Sequence, residues 1–327
     1  MITYLIRRLV YSVPILFGVN IITFALFFLV NSPDQMARKQ LGEHRVTMDA
    51  VEKWKTERGY NVPLLWNSTS TGTGRVRDTV FYATSARLFS FNFGQSDSGR
   101  DIGYDIRERM GPSLAIAIPA LIIQILLATT LALFVSVLRG SRLDRWTTTV
   151  CVGLMSVSSL FFIMAGQYVM AKLLRLVPIS GYADGWAMAK FVLLPVIVQV
   201  LASLGANVRW YRTVFLEENA KDYVRTARAK GLSDATVMLR HVLRNALLPL
   251  LTNIVVILPG LFLGSLITES FFAIPGLGSY TIEAIQNQDF AAVRAMVFLG
   301  SLLYIVGLIL TDISYAWADP RIRLGKA

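Results

Sequence analysis

Six stretches of this 327-residue chain are apolar over the length that a membrane-spanning helix needs. A helix crosses the hydrocarbon core of a bilayer with about 20 largely apolar residues, and it satisfies its own backbone polar groups there. Charged residues make up only 16% of the chain, against about 25% in soluble proteins. The sequence therefore predicts an all-α integral membrane protein and excludes a disordered chain or a typical soluble enzyme. The predicted spans cover residues 9–30, 113–138, 147–174, 191–208, 246–268 and 292–317.

The distribution of Lys and Arg predicts the orientation of these spans. Sixteen basic residues lie before the first span, between the second and third, in 209–245 or in the tail. The two short opposite loops together with the span ends beside them hold four, which are Lys172, Arg175, Lys190 and Arg294. Short cytoplasmic loops collect basic residues. We therefore expect both termini and the loop 209–245 in the cytoplasm. The first stretch is too long for a secretory signal core, so we expect it to be a retained span.

The order of these segments predicts four parts along the chain. The N-terminal end and first span (1–30) precede an extracytoplasmic segment (31–112), called the outer segment below. A five-span core (113–317) and a cytoplasmic tail (318–327) follow. Within the outer segment we expect a helix over 48–58 and a flexible loop over 67–74. The segment is either a folded cap over the external mouth or a docking surface for an extracytoplasmic partner, and its length favours docking.

Residues for catalysis or cofactor binding are not apparent in the sequence. One Cys and two distant His cannot form a disulfide or a metal cluster. The Gly-x-x-x-x-Gly-Lys-Ser/Thr loop that cradles phosphates is absent, as is a nucleophile–base–acid set. We therefore expect no catalytic, cofactor-binding or metal site in this chain. The net charge of +11 is explained by the cytoplasmic loops, so we expect no nucleic-acid partner.

The cytoplasmic loop 209–245 has a pattern of its own. We expect one helix over 217–230, ended by Gly231 because glycine readily adopts the left-handed conformation. Ser233 is then placed to cap a second helix. The small residues Ala227 and Ala229 would let a partner backbone approach closely. The loop is either an element that couples a cytoplasmic motor to the spans or an amphipathic helix on anionic headgroups, and the residues alone leave both interpretations open.

Polar residues within and beside the spans are candidates for the transport pathway. Gln124, Gln199 and Asn253 lie inside predicted spans, where polar groups often line cavities. The alternative is interhelical hydrogen bonding, worth about 0.6–2 kcal/mol each. Candidates for a gate in the loop before the last span are Glu269, Pro275, Gly276 and Gly278. The alternative for the Pro-Gly-Leu-Gly sequence is a simple tight turn.

Two motifs in the cytoplasmic loop carry a resemblance to a known family. Residues 222–232 (DYVRTARAKGL) and 241–249 (HVLRNALLP) resemble the signature loop of permease subunits of ATP-binding-cassette importers. The general form is Glu-Ala-Ala, three residues, Gly, nine residues, Ile-x-Leu-Pro. The chain departs from it at Arg225, Thr226, His241 and Arg244, and these departures are typical of the dipeptide/oligopeptide/nickel branch. Further matches to that branch lie at 4–9, 91–94, 269–278, 289–290 and 319–321.

The resemblance implies a fold, partners and a mechanism. The fold would be the six-span type I importer permease (MetI-like) fold with the outer segment inserted between spans 1 and 2. The partners would be a second homologous permease, two cytoplasmic ATPases that hold ATP and Mg, and an extracytoplasmic substrate-binding protein, all at a bacterial inner membrane. The ATPase-coupling residues carried over from the family are Asp222, Tyr223, Arg225, Thr226, Ala227, Lys230, Gly231 and Leu232.

The function implied by the resemblance is ATP-driven import of peptides or peptide-like solutes. Import of a nickel chelate or a sugar stays open, because selectivity is largely set by the binding protein. A solute channel working without ATPases is the alternative from another class. A membrane-embedded hydrolase would need paired catalytic groups within the spans, which the sequence does not show.

Overall fold

The chain is helical throughout the part described by the computed structural model, residues 2–42 and 46–318. No strand occurs among these residues, apart from one isolated bridge between Gln95 and Asp101. The motif at 319–321 and the basic residues of the tail lie outside the described residues. The α-helices are α1 (Ile2–Phe28), α2 (Pro33–Leu41), α3 (Met48–Glu57), α4 (Gly74–Arg77), α5 (Val80–Ser85), α6 (Ile102–Val137), α7 (Arg142–Ser156), α8 (Ser159–Gly166), α9 (Met188–Asn219), α10 (Asp222–Ala229), α11 (Asp234–Thr236), α12 (Leu243–Leu263), α13 (Leu266–Phe271), α14 (Leu277–Gln286) and α15 (Phe290–Ala318).

The membrane-spanning character of the fold is confirmed. Five helices of the described chain are long and apolar enough to cross a membrane, and the number is six if one bent pair counts as a span. Large apolar side chains on their surfaces, such as Ile22 and Leu26 of α1 and Leu126 of α6, are exposed. Water would disfavour such faces, whereas lipid tails solvate them.

The third predicted span, 147–174, is not one straight helix. Helix α7 ends at Ser156, and the following helices bend away by 92°. Val157 is extended (φ −97°, ψ 131°), and Ser158 caps α8 by accepting a hydrogen bond from the Leu160 N–H. The segment Gln167–Leu173 continues α8 as a π-helix. The cap at Ser158 thus starts a new helix inside an apolar run that composition alone treats as continuous.

The fifth predicted span, 246–268, extends too far. Helix α12 ends at Leu263, because Gly264 has a φ of +73°, which is in the left-handed region. Ser265 then caps the separate helix α13. The other four predicted spans each lie within one helix, apart from one or two terminal residues. Helix α6 begins 11 residues before its predicted span, and α9 ends 11 residues after its own.

The chain divides into two compact units. Unit 1 comprises Met1–Arg109 and Tyr280–Ile305, and its core joins Phe24 and Phe28 of α1 to the outer segment through Met36, Val51 and Trp54. The helix expected over 48–58 is confirmed as α3. The flexible loop expected over 67–74 is wrong in part. Asn67 is buried, donates to the Asp78 carbonyl and accepts from the Thr69 N–H.

Unit 2 comprises Met110–Ser279 and Val306–Ala327. Helices α7 and α9 cross so closely that a Cβ at Gly205 would lie 2.5 Å from the Cys151 carbonyl oxygen. The core at this crossing continues through Val208, Tyr211 and Phe215 of α9 to Val224 and Ala227 of α10. A π-helical segment, Val237–Val242, joins α11 to α12.

Candidate functional site

The segment predicted to couple to the ATPases, residues 222–232 (called the coupling loop after that prediction), is built on the short amphipathic helix α10. Val224 and Ala227 on one face of α10 are buried, with Val224 completely inaccessible to solvent. They pack in one core cluster with Phe215 of α9 and Val237 beyond the corner. One face of the loop is therefore packed on unit 2, and the opposite face is exposed on the surface of the chain. The exposed residues of the loop are Asp222, Arg225, Thr226, Arg228, Ala229, Lys230, Gly231 and Leu232.

Two details of this loop differ from the prediction. A single helix over 217–230 is wrong, because α9 ends at Asn219 and Lys221 is extended (φ −73°, ψ 154°) before α10 begins. The partner-facing position of Ala227 is also wrong, since its methyl group lies in the core of unit 2. Residues three apart share a helix face, so Ala227 follows Val224 into the core while Ala229 stays exposed.

The predicted corner at Gly231 and the predicted cap at Ser233 are confirmed. Gly231 has a φ of +79°. Its N–H donates to the Arg228 carbonyl (2.9 Å), and the Leu232 N–H donates to the Ala227 carbonyl (3.4 Å). This pair of bonds closes a helix end through a left-handed residue. The Ser233 hydroxyl then accepts from the Thr236 N–H and starts the next helix.

Polar contacts on the flanks of α10 hold its orientation. The Arg228 guanidinium donates to Asn219 Oδ1 (2.9 Å) and to Asp234 Oδ1 (3.1 Å), which bridges the helix ends on both sides of α10. The Tyr223 hydroxyl donates to Glu218 Oε1 (2.9 Å). Burial, helped by the neighbouring Glu218 carboxylate, raises the pKa of Tyr223 to about 12. The Tyr223 hydroxyl therefore stays protonated at neutral pH and acts as a hydrogen-bond donor.

A buried ion pair near this loop was not predicted from the sequence. Arg212 of α9 donates from Nε to Asp144 Oδ1 (3.0 Å) and from Nη2 to Asp144 Oδ2 (2.9 Å) at the start of α7. The Gly140 N–H also donates to this carboxylate. The pattern Ser141-x-x-Asp144 before an apolar run signals a helix start. The pairing with Arg212 could not be predicted from neighbouring residues, because Arg212 lies 68 residues further along the chain.

Glu269 is the centre of a second cluster, the carboxylate cradle. Its side chain is 1% exposed, although it lies in a loop between spans. Oε1 accepts from the Ser113 hydroxyl of α6 (2.9 Å) and the Ser265 N–H (3.0 Å). Oε2 accepts from the Gly278 (2.7 Å) and Ser279 (3.1 Å) N–H groups at the start of α14. Burial raises the pKa of Glu269, and these four donors oppose that rise.

Three glycines make room for this carboxylate. A Cβ at Gly264 or Gly276 would collide with the Glu269 carboxylate and the Ser113 hydroxyl. A Cβ at Gly278 would lie 2.8 Å from the Leu266 nitrogen and 2.9 Å from Glu269 Oε2. The N–H groups at a helix N-terminus favour a carboxylate. Glu269 of α13 thus joins that helix to α6, through Ser113, and to the start of α14, through Gly278 and Ser279. Pro275 of the same motif is exposed instead.

The predicted pathway residues are spread over separate helices. Gln124, Gln199 and Asn253 are partly buried on α6, α9 and α12 respectively. No hydrogen bond joins any two of them within the described part of the chain, and Asn253 Oδ1 is buried without a hydrogen-bond partner there. A pathway role for these three residues, and a gating role for Glu269, Pro275, Gly276 and Gly278, stay predictions.

The fold and the loop together define a class of protein. Apolar spans, a basic loop packed on the spanning helices and a folded segment between the first two spans are typical of a multi-pass membrane permease. The family model described as binding-protein-dependent transport system inner membrane component matches residues 124–324, which is more than half of the chain. The chain belongs to this family, whose members are transport components and not enzymes.

Relatives similar over their full length support the branch predicted from the motifs. The chain is 29% identical over 330 residues to the dipeptide transport system permease protein of Bacillus subtilis (strain 168), covering 99% of this chain and 98% of the relative. It is 29% identical to the di/tripeptide transport system permease protein of Pseudomonas aeruginosa (strain UCBPP-PA14), covering 99% of each. It is 27% identical to the probable D,D-dipeptide transport system permease protein of Escherichia coli (strain K12), covering 94% of each. The resemblance to the peptide branch of ATP-binding-cassette importers is thus confirmed.

Proposed function

We propose that this chain is the permease subunit of an ATP-driven importer of peptides or peptide-like solutes. Relatives that match nearly the whole chain are named dipeptide and di/tripeptide transport system permeases, which supports this substrate class. The translocation pathway forms between this chain and a second, homologous permease. Apolar faces that remain exposed on α1 and α6 leave surface for lipid and for that subunit. An extracytoplasmic binding protein delivers the solute to the outer segment.

The observation that carries the coupling mechanism is the two-faced packing of α10. Its exposed face, from Asp222 to Leu232, docks in a cleft of a cytoplasmic ATPase. Its buried face, at Val224 and Ala227, transmits the displacement of that ATPase to α9 and α12 through close-packed side chains. ATP and Mg reside on the two ATPases, because this sequence has no phosphate loop. Both termini and the coupling loop then lie in the cytoplasm.

The test targets Leu232, an exposed apolar residue at the corner. Leu232 is 39% exposed and is not among the buried or partly buried residues of the core cluster that holds α10. We expect Leu232→Glu to reduce both ATPase copurification and uptake of a labelled dipeptide in cells that express the whole transporter. Val76→Glu, a similarly exposed apolar position (46%) on the outer segment, is the matched control for ATPase copurification, which it should keep.

The alternatives give different results in the same experiment. A channel without ATPases would take up solute when no ATPase is coexpressed, and Leu232→Glu would not change its rate. An importer of nickel chelates or sugars would require the ATPases, but unlabelled dipeptide would not compete with its substrate. Dipeptide competition together with ATPase dependence is the result expected here.

A further inference from the structure

Unit 1 contains a polar pocket of about 770 Å³ that the coupling mechanism does not use. Residues of the outer segment and the start of α15 line it. Its volume lies within the range of small-molecule sites, about 300–1,000 Å³. The charged side chains that line it are Glu57, Arg58, Arg87, Asp97, Asp101 and Arg294.

Arg294 is a buried cation without an anion. It is 6% exposed, its guanidinium lies over the Phe28 ring (5.0 Å), and Nε donates to the Phe290 carbonyl (3.3 Å). Nη1 has no hydrogen-bond partner, and no Asp or Glu of the described chain forms an ion pair with Arg294. Burying a charge is costly unless an opposite charge compensates it. The position therefore favours the binding of an anionic group beside Arg294.

The other charges around the pocket divide into satisfied and free groups. Asp97 accepts from Arg58 Nε (2.9 Å), so these two residues compensate each other. Asp101 accepts from the Tyr104 N–H (2.7 Å) at the start of α6. Arg87 and Glu57 are exposed and have no ion pair among the residues that the structure describes. Asp101 also has no ion pair among the described residues, so the pocket offers two guanidinium groups, of Arg294 and Arg87, and two carboxylates, of Glu57 and Asp101, without an ion-pair partner.

We propose that this pocket binds a short peptide in its zwitterionic form. Arg294 and Arg87 receive the C-terminal carboxylate, for which the planar guanidinium fork is suited. Glu57 receives the N-terminal ammonium group. The proposal rests on the proposed function for the substrate class and adds an outer site on the permease itself. A short peptide matches the opposite free charges better than a simple anion, which would leave Glu57 without a partner.

The test measures binding of alanyl-alanine to the full-length chain in lipid nanodiscs by isothermal titration calorimetry. We expect saturable binding at one site, at least tenfold weaker for alanyl-alanine amide, which lacks the carboxylate. Arg294→Gln should weaken dipeptide binding at least tenfold, and Arg87→Gln severalfold. Arg87 is exposed, so its substitution leaves the fold intact. Arg77→Gln, an exposed arginine of the outer segment that does not line the pocket, should bind like the parent chain.

Several results would overturn the proposal. One is that the parent chain does not bind alanyl-alanine, and another is that it binds alanyl-alanine amide or acetate as tightly as alanyl-alanine. An affinity of Arg87→Gln for alanyl-alanine equal to that of the parent chain would overturn it as well. Acetate binding would reveal a general anion site. If Arg294→Gln fails to fold, Arg87→Gln decides. Uptake by the whole transporter separates the two proposals, because dipeptide import without binding to the nanodisc chain refutes only the pocket. Absence of dipeptide import refutes the proposed function.

Discussion

At the scale of single residues, glycine is required at four positions for two different physical reasons. Glycines 264, 276 and 278 are required because the Glu269 carboxylate occupies the space of their side chains. Gly231 is different, because nothing in the chain lies within 4 Å of a Cβ placed there. Glycine is required at position 231 because the backbone there has a φ of +79° and, in the proposed function, because an ATPase docks on this corner. The two cases predict different consequences of substitution.

Glu269→Gln should destabilise the chain, although the two side chains have nearly the same size. The amide has one acceptor oxygen where the carboxylate has two, and its NH2 group would face N–H donors at the start of α14. Loss of charge-assisted bonds to buried donors costs roughly 2–3 kcal/mol. We expect a clearly lower melting temperature of the purified chain. Glu283→Gln is the control, because the Glu283 side chain is 52% exposed in its ion pair with Arg109, and pairs with an exposed partner are worth about 0–1 kcal/mol. Equal melting of Glu269→Gln and the parent would contradict the cradle.

Gly231→Val should lower substrate uptake severely while the chain still inserts. A side chain in the left-handed conformation costs roughly 1–2 kcal/mol, and a branched side chain would collide with the ATPase surface. The measurement is dipeptide uptake, together with copurified ATPase and ATP turnover of the complex in proteoliposomes. Gly140→Val is a matched control, because Gly140 has a φ of +80° and equally open surroundings. If Gly231→Val retains uptake as the control Gly140→Val should, the corner is not the coupling contact.

At the scale of elements, α10 combines anchoring and contact in eight residues. Val224 and Ala227 are separated by one helical turn on the core side, and the corner at Gly231 is closed by two backbone bonds. An isolated helix of this length is unstable in water, so its packing on α9 and α12 maintains it. A force applied to its exposed face therefore reaches the spans through these buried contacts and through the polar bonds of Arg228 and Tyr223.

Ala227→Glu and Ala229→Glu form a pair that separates anchoring from contact. Ala227 is 5% exposed, so a carboxylate there has to leave the core and should disrupt the packing of the whole loop. Ala229 is exposed, so the same change should leave the fold intact and affect only the docked partner. We expect a lower melting temperature for Ala227→Glu alone, measured on the chain without partners. Both variants should lose uptake. Similar melting of the two would show that Ala227 is not anchored as described.

The elements that the sequence predicted well are those with local signals. The apolar lengths of the spans, the left-handed corner at Gly231 and the cap at Ser233 depend on residues a few positions apart. The bend at Val157 and the end of α12 at Gly264 were missed, because one apolar run can hold two helices joined by a turn. An apolar count does not detect a capping serine inside such a run.

The candidate sites show the same limit. The Glu269 motif was found by resemblance, but its partner Ser113 lies 156 residues earlier, and only the fold brings them together. Arg212 was counted as one of many cytoplasmic basic residues, although it forms a bidentate pair with Asp144. Ala227 was interpreted as a contact residue because small residues suit both a partner interface and a core. Burial distinguishes these two roles, and it depends on tertiary packing.

At the scale of the whole molecule, the position of charged groups relative to the membrane decides which partners can reach which surface. The outer segment belongs to the same compact unit as α1, and the coupling loop belongs to the other unit. The predicted orientation assigns the first surface to a binding protein and the second to ATPases. It depends on the distribution of 16 against 4 basic residues in the short segments.

Labelling of single cysteines at Ser68 and Ala235 tests that orientation. Both positions are exposed, and Ala235 avoids the capping hydroxyl of Ser233. The native Cys151 is buried, so the parent chain provides the background of the assay. In intact spheroplasts, an impermeant maleimide should label Ser68→Cys and should leave Ala235→Cys unlabelled until the membrane is permeabilised. Labelling of Ala235→Cys alone would reverse the topology. The coupling loop would then face away from ATP, and the outer pocket around Arg294 would open to the cytoplasm.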